Sequence, residues 1–198
     1  YFTSEFYNEN YQKIKAAYDA LEDDFSRKLF SSILHFKLTG KLQYLLSYTS
    51  KKEEIYSLLP KDSIRTILDG GAYNGDTAKE FLLEFGNIER ILAIEPDPKT
   101  FKRLCRTASD ALVARDKIIP IHAALSAYVG EGVVHASGNR NSSLVGASYE
   151  HREQIIPTLT IDKICEEDRV DFIKLDVEGE EQNALVGAEE TINKQQPS

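Results

Sequence analysis

Acidic residues follow two apolar runs of this chain, and glycines lie between them. The first run ends in Asp69 and continues into a turn with glycines at positions 70, 71 and 75, while the second run ends in Glu95, twenty positions after Gly75. Glycine lets a backbone approach a ligand closely, and an acid at the end of the second strand of a doubly wound sheet can accept hydrogen bonds from both ribose hydroxyls. The pattern therefore predicts a nucleoside site between two parallel strands.

The spacing of the glycines indicates which nucleoside fits. A dinucleotide fingerprint requires Gly-x-Gly-x-x-Gly, but Ala72 or Tyr73 stands where the second glycine would lie, depending on the register. A pyrophosphate favours bare amides at a helix N-terminus, and Asp69, Asp76 and Glu95 would repel it. S-adenosylmethionine has no phosphate and carries a sulfonium cation and an α-amino group. We therefore predict S-adenosylmethionine as the cofactor, with a nicotinamide cofactor or a tight turn without a ligand as the alternatives.

The predicted cofactor contacts lie in the glycine-rich turn and at the ends of the neighbouring strands. They are Asp69, Gly70, Gly71, Ala72, Tyr73, Gly75, Asp76, Thr77, Glu95, Pro96, His122, Ala123 and Asp176. Glu95 is expected to hold the ribose. His122 ends the third predicted strand, near the expected adenine edge, and a histidine packed into the core is the alternative there.

A third predicted strand also ends in an acid. Asp176 is expected at the strand tip, where cofactor and acceptor should meet, and Glu178 lies two residues further on, before Gly179. Either carboxylate could act as a general base or orient an acceptor hydroxyl, so both are predicted to be catalytic. The two could instead share a divalent metal ion, or Asp176 could pair with Lys174 or cap the next helix.

Substrate contacts are predicted at Lys174 and in a loop over residues 138–148. A lysine inside a buried parallel strand is costly unless it is paired or functional, and a buried ion pair is the alternative reading of Lys174. The loop is rich in Gly, Asn and Ser, and Asn141, Ser142 and Ser143 are expected to contact the acceptor or to close over the site.

Composition limits the fold and the partners. A chain of 198 residues with 41% apolar content can form one sizeable core with an appendage. The net charge of −8 disfavours a nucleic-acid partner. No apolar run approaches the roughly 20 residues needed to cross a bilayer, and no signal peptide is visible. Cys105 and Cys165 are isolated, so we predict no metal site and expect a reducing, cytoplasmic location.

Residues 1–62 are predicted to form an N-terminal helical extension. Apolar residues at three- and four-residue steps predict one helical stripe over 7–25, a second over 29–38 ended by Gly40, a short piece at 42–46, and a helix over 51–59 before Pro60. The aromatic residues of the first stripe are expected to pack on the core domain, over the substrate mouth, or against a second subunit in a homodimer.

Strands and helices alternate from residue 63 onward. Strands are predicted at 64–69, 90–95, 117–123 and 170–176, and helices at 76–86, 98–109 and 180–194, with Asp97 as the N-cap before Pro98. A short extra strand is predicted at 132–136, an extended segment at 155–161, and a short helix capped by Asp162. Such alternation is typical of an α/β fold with a doubly wound parallel sheet and ligands at the strand C-termini.

These residues together resemble the FkbM family of methyltransferases. The likeness covers residues 63–192 and runs through segments 67–77, 93–98, 123–126, 158–162, 172–181 and 184–188, among which Asp-Val-Glu-Gly-x-Glu at 176–181 is fairly specific. The resemblance implies a Rossmann-like class I methyltransferase domain over residues 63–198. It also implies methyl transfer from S-adenosylmethionine to a hydroxyl on a sugar, glycan or polyketide-like acceptor. Residues 23–27 resemble the extension of bacterial members found among saccharide-biosynthesis proteins.

The resemblance also implies roles for individual residues. Asp69, Gly71 and Gly75 would line the methionine end, Glu95 would hold the ribose, Ala123 would lie by the adenine, and Asp176 and Glu178 would face the transferred methyl group. Domains of this family continue with further strands, so we expect a sheet that is incomplete at its C-terminal side and a domain that is truncated there. A catalytically inactive methyltransferase-fold scaffold is therefore one alternative function, and a nicotinamide-dependent oxidoreductase is the other.

Overall fold

The computed structural model describes residues 2–110, 112, 116–136 and 152–198, which form two compact units. The first unit extends to Ile55 and the second is Tyr56–Ser198. The helices up to this division are α1 (Ser4–Glu9), α2 (Tyr11–Asp19), α3 (Asp24–Thr39), α4 (Gln43–Leu46) and α5 (Lys52–Ser57), which contains the division point.

The prediction of one helical stripe over residues 7–25 was wrong, because that segment contains two helix ends. The Asn10 amide and side chain both donate to the carbonyl of Phe6, which ends α1. Helix α2 ends at Asp19, and Asp23 then accepts a hydrogen bond from the amide of Ser26 as the N-cap of α3. Helix α3 ends at Gly40 in the left-handed region (φ 70°), where glycine is favoured.

The second unit contains seven strands and five helices among the described residues. They are β1 (Thr66–Gly70), α6 (Asp76–Glu84), β2 (Arg90–Ile94), α7 (Pro98–Ala108), β3 (Ile118–Ile121), β4 (Ala124–Leu125), β5 (Gly130–Ala136), β6 (Arg152–Leu159), α8 (Ile161–Ile164), β7 (Phe172–Leu175), α9 (Glu181–Val186) and α10 (Glu189–Gln195).

Four of these strands form a parallel sheet in the order β3-β2-β1-β7. Strand β1 is central and fully buried, and it pairs in parallel with β2 on one side and β7 on the other. Strand β6 joins a second, three-stranded sheet, parallel to β4 and antiparallel to β5. The reversal of strand order on either side of β1 is typical of a doubly wound fold and leaves a crevice at the C-terminal ends of β1, β2 and β7.

Hydrophobic clusters cover both faces of the parallel sheet. Successive side chains of β1 point to opposite faces, so Ile67 packs with Phe81 and Phe85 of one cluster, while Leu68 packs with Leu92 and its neighbours in the other. Burial on both faces explains why β1 and β2 read as continuous apolar runs rather than as alternating ones. The residues of β7 are only half-buried, since β7 is the outer strand of this sheet among the described residues.

Two predicted features after residue 160 were wrong. The N-cap of α8 is Thr160, not Asp162, because the Thr160 hydroxyl accepts from the amide of Lys163. The Asp162 carboxylate instead accepts from the amides of Glu190 and Thr191, at the start of α10. The helix predicted over 180–194 is divided into α9 and α10.

The division between α9 and α10 falls at Gly187, which lies against neighbouring backbone. A Cβ atom there would lie 2.2 Å from the carbonyl oxygen of Ser126, and the Gly187 carbonyl accepts from the amide of Asp162. A regular helix would use that carbonyl internally, so a tertiary contact explains the break.

Candidate functional site

The three predicted acidic strand ends lie at one edge of the sheet. Parallel pairing sets Asp69 of β1 beside Ala93 of β2 and beside Lys174 of β7. Glu95 directly follows β2 and Asp176 directly follows β7. Because parallel strands end at the same edge, the segments after β1, β2 and β7 line a single crevice.

The turn after β1 has a backbone shape that depends on its glycines. Gly71, Tyr73 and Gly75 have positive φ angles of 75°, 50° and 84°. A Cβ atom at Gly71 would lie 2.0 Å from the carbonyl oxygen of Asp176, and the amide of Asp176 donates to the Gly70 carbonyl at 3.0 Å. The glycine-rich turn therefore lies directly on the segment that carries the predicted catalytic acids.

The amides of this turn donate to acceptors within the protein. Those of Gly71 and Ala72 both bond to the carbonyl of Ile94, at 3.0 and 2.9 Å, and that of Gly75 bonds to the Ala72 carbonyl at 2.9 Å. At the start of α6, the Asp76 amide donates to Asn74 Oδ1 and the Thr77 amide to Asp76 Oδ1. The turn is thus stabilised by internal hydrogen bonds rather than opened toward an anion.

Glu95 is buried beneath the same turn. Its Oε2 accepts from the Tyr73 amide at 2.9 Å and its Oε1 from the Asp97 amide at 2.8 Å, and only 6% of the residue is exposed. Burial raises the pKa of the Glu95 carboxyl to about 7, although both amide hydrogen bonds favour the charged form. Each carboxylate oxygen has a second lone pair, so the group can still accept two hydroxyl hydrogens.

Asp69 forms an ion pair with Lys174. The two side chains approach to 3.0 Å between Oδ1 and Nζ, with the Asp69 side chain fully buried and that of Lys174 20% exposed. Both carboxylate oxygens of Asp69 are buried, and neither accepts a hydrogen bond from the described residues, so Lys174 is held at Oδ1 by charge. Burial raises the pKa of Asp69, while the charge of Lys174 acts in the opposite direction. The alternative reading of Lys174 as a member of an ion pair therefore agrees with the structure. Its partner is Asp69 rather than Asp176.

Asp176 and Glu178 are exposed, and hydrogen bonds to Glu181 stabilise the turn that carries them. Glu178 and Gly179 have left-handed φ angles of 53° and 104°. Glu181 accepts from the amide of Val177 at 3.1 Å and from that of Gly179 at 3.1 Å. Sequence reasoning missed this role of Glu181, whose signal was an acid in the first helical turn after a glycine.

His122 and Ala123 follow β3 at the same edge of the sheet. His122 Nε2 lies 3.1 Å from the Pro96 carbonyl oxygen, and its ring stacks on Phe101 with centroids 4.6 Å apart. Ala123 is completely buried. Adenine contact by either residue stays a prediction, and Asn141, Ser142 and Ser143 lie outside the described residues.

No cluster of three or more His, Cys, Asp or Glu side chains with the geometry to hold a metal ion occurs across the described ranges. None of the helices described above combines the length and apolar character required to cross a membrane.

Comparison with known proteins agrees with the architecture. The fold resembles that of methyltransferase FkbM from Methylobacillus flagellatus KT, with a TM-score of 0.71 and 24% identity over 96% of this chain and 47% of that one. The present chain therefore spans about half of that protein's length. Curated protein sequences give no significant match. A family model, the methyltransferase FkbM domain, matches residues 69–198. The predicted α/β fold class is thus confirmed, and the chain belongs to the methyltransferase FkbM domain family.

Proposed function

We propose that this protein is an S-adenosylmethionine-dependent methyltransferase that methylates a hydroxyl on a sugar, glycan or polyketide-like acceptor. The cofactor assignment rests on the hydrogen bonding of the glycine-rich turn and on the acids beside it. The turn amides at Gly71, Ala72 and Tyr73 already donate to protein acceptors, while two buried carboxylates, Asp69 and Glu95, flank the turn. Such a site suits a ligand with hydroxyls and positive charge rather than a pyrophosphate, which requires available amides.

The residues present fit the two polar ends of that cofactor. Glu95 retains one lone pair on each carboxylate oxygen for the ribose hydroxyls. Asp69 offers Oδ2, a buried acceptor without a partner in the described chain, to a cationic donor such as the α-amino group. A buried acceptor without a partner is costly, so a ligand donor at Asp69 would recover that free energy.

Asp176 and Glu178 are the residues proposed to act on the acceptor hydroxyl. When bound, the cofactor supplies a methyl group on a sulfonium, which is already a good leaving group. The protein must then align the acceptor hydroxyl and take its proton, since positioning supplies much of the rate enhancement in such displacements. Asp176 directly follows β7 and touches the glycine-rich turn through its backbone, so its carboxylate is the proposed general base. Glu178 is proposed to orient the hydroxyl.

Calorimetric titration tests the cofactor assignment. S-adenosylhomocysteine should bind the wild-type protein with micromolar affinity, and Glu95→Ala should abolish that binding while the circular dichroism spectrum remains that of a folded protein. NADH titrated under the same conditions should give no heat. Binding of NADH in place of S-adenosylhomocysteine would support the oxidoreductase alternative. A folded wild-type protein that binds neither ligand would contradict the proposed function and favour a scaffold.

A further inference from the structure

Lys174 of β7 contacts the end of β1 and the start of the glycine-rich turn through one ammonium group. Its Nζ lies 3.2 Å from the Gly70 carbonyl oxygen and 3.0 Å from that of Gly71, besides the 3.0 Å ion pair with Asp69. An ammonium has three hydrogens to donate. Lys174 donates hydrogen bonds to the carbonyls of Gly70 and Gly71, and its contact with Asp69 Oδ1 is an ion pair. Lys174 is therefore directed toward the end of β1 and the glycine-rich turn, which argues against a role in holding an acceptor.

Asp69 is buried and lies near other carboxylates, and the positive charge of Lys174 opposes both effects on its pKa. Asp76, at the start of α6, and Asp176, after β7, both act on Asp69 with like charge, and Lys174 of β7 is the opposing cation. Lys174 also acts on Glu95, at the end of β2. A buried carboxylate among other carboxylates would take up a proton unless a cation lies close to it. Lys174 therefore favours the ionised form of Asp69 against its burial and against these like charges.

We propose that Lys174 is a positioning residue of the cofactor site, which places a cation beside the Asp69 carboxylate and fixes the carbonyls of Gly70 and Gly71. The arrangement leaves Asp69 Oδ2 as a charged acceptor for a cationic donor of the ligand. Identification of that donor with the α-amino group of S-adenosylmethionine rests on the proposed function. The effect of Lys174 on Asp69 is a property of the chain without any ligand.

The experiment combines a ligand-free readout with a binding readout. Lys174→Met removes the cation, Lys174→Gln removes the charge but keeps a donor for the carbonyls, and Lys174→Arg keeps the charge. Lys163→Met is the matched control, because Lys163 is an exposed lysine with its own ion pair to Glu166. The titration midpoint of Asp69 is followed by carbon-13 NMR of its carboxyl group, and S-adenosylhomocysteine affinity by calorimetry between pH 6 and pH 9.

We expect both uncharged variants to raise the Asp69 midpoint, with Lys174→Arg and Lys163→Met close to wild type. S-adenosylhomocysteine should bind the uncharged variants about tenfold more weakly at pH 7, a loss of about 1.4 kcal/mol. That loss should shrink toward pH 9, as Asp69 loses its proton. A loss of affinity that came only from a structural defect would not shrink as the pH rises.

Two results would overturn the proposal. One is an Asp69 midpoint that is the same in wild type and in the uncharged variants. The other is an unchanged S-adenosylhomocysteine affinity in those variants with a raised KM for the acceptor, which would return Lys174 to the acceptor site. A wild-type protein that binds no S-adenosylhomocysteine would contradict the proposed function alone, since the Asp69 titration still tests Lys174 without a ligand. Should Lys174→Met fail to fold, Lys174→Gln gives the same comparison.

Discussion

We predict that Glu95 makes cofactor binding depend on pH near neutrality. The proposed ribose contact requires the ionised carboxylate, which accepts two hydroxyl hydrogens, but burial raises the pKa of the free protein's Glu95 to about 7. Binding must therefore release a proton from the protonated fraction, so affinity should fall as the pH is lowered through 7. The sign is opposite for folding. Because the folded pKa of about 7 lies above the ordinary glutamate value of 4.5, Glu95 lowers the free energy of unfolding as the pH rises from about 4.5 to about 7.

The size of the binding effect follows from linkage. If the bound state keeps Glu95 ionised down to pH 5, the dissociation constant rises about twofold at pH 7 and about tenfold at pH 6, relative to pH 8. The tenfold change corresponds to about 1.4 kcal/mol of binding free energy. Proton release on binding should be about 0.9 at pH 6, about 0.5 at pH 7 and about 0.1 at pH 8.

Calorimetry in buffers of different ionisation enthalpy measures both quantities in one set of titrations. S-adenosylhomocysteine serves as the ligand, and Glu95→Gln is the control, because it cannot ionise and should bind weakly with a flat pH profile. An affinity that is constant between pH 6 and pH 8, with no proton released, would refute the reasoning. A pH dependence that persists in Glu95→Gln would assign the proton to another group.

Three further predictions concern the turns of the site. Gly71→Ala should lower the free energy of unfolding by about 2 kcal/mol or more in chemical denaturation, because the φ of Gly71 is positive and an added Cβ has no space. Gly86→Ala is the control, since an added Cβ there has nothing within 4 Å, and it should stay within about 0.5 kcal/mol of wild type. Glu181→Ala should speed hydrogen exchange at the Gly179 amide, which it now holds, and an unchanged exchange rate would contradict the supporting role. Asp176→Asn should slow single-turnover methyl transfer about 100-fold or more and leave S-adenosylhomocysteine affinity intact; an unchanged rate would exclude Asp176 as the base.

Elements with strong local signals could be predicted from the sequence. The N-cap at Asp97 and the helix it begins depend on neighbouring residues only, and the Asp97 carboxylate indeed accepts from the amides of Lys99 and Thr100. Strands β1 and β2 were identified from short apolar runs that each end in an acid, with a glycine-rich turn after the first. One failure falls where the competing signals were also local but ambiguous, at residues 160–162, where Thr160 and Asp162 are both good caps. The break at Gly187 instead depends on a tertiary contact.

Some site contacts could not be predicted, because they join residues far apart in the chain. Lys174 was predicted to contact the substrate, with a pair to Asp176 as the alternative, but parallel pairing of β1 and β7 sets it beside Asp69. Periodicity gives the face on which a side chain lies, and it gives nothing about which strand is adjacent.

The sequence by itself determined the α/β class, the strand ends that carry acids and the turn that requires glycines, because each depends on residue type and short-range spacing. Only the tertiary structure decided how those groups share their charges and hydrogen bonds. Burial of Glu95 under the Tyr73 amide, the bonding of the turn amides to Ile94, and the Lys174–Asp69 pair all arise from sheet order and packing. Solvent exclusion and proximity set these properties, and both exist only once the chain has folded.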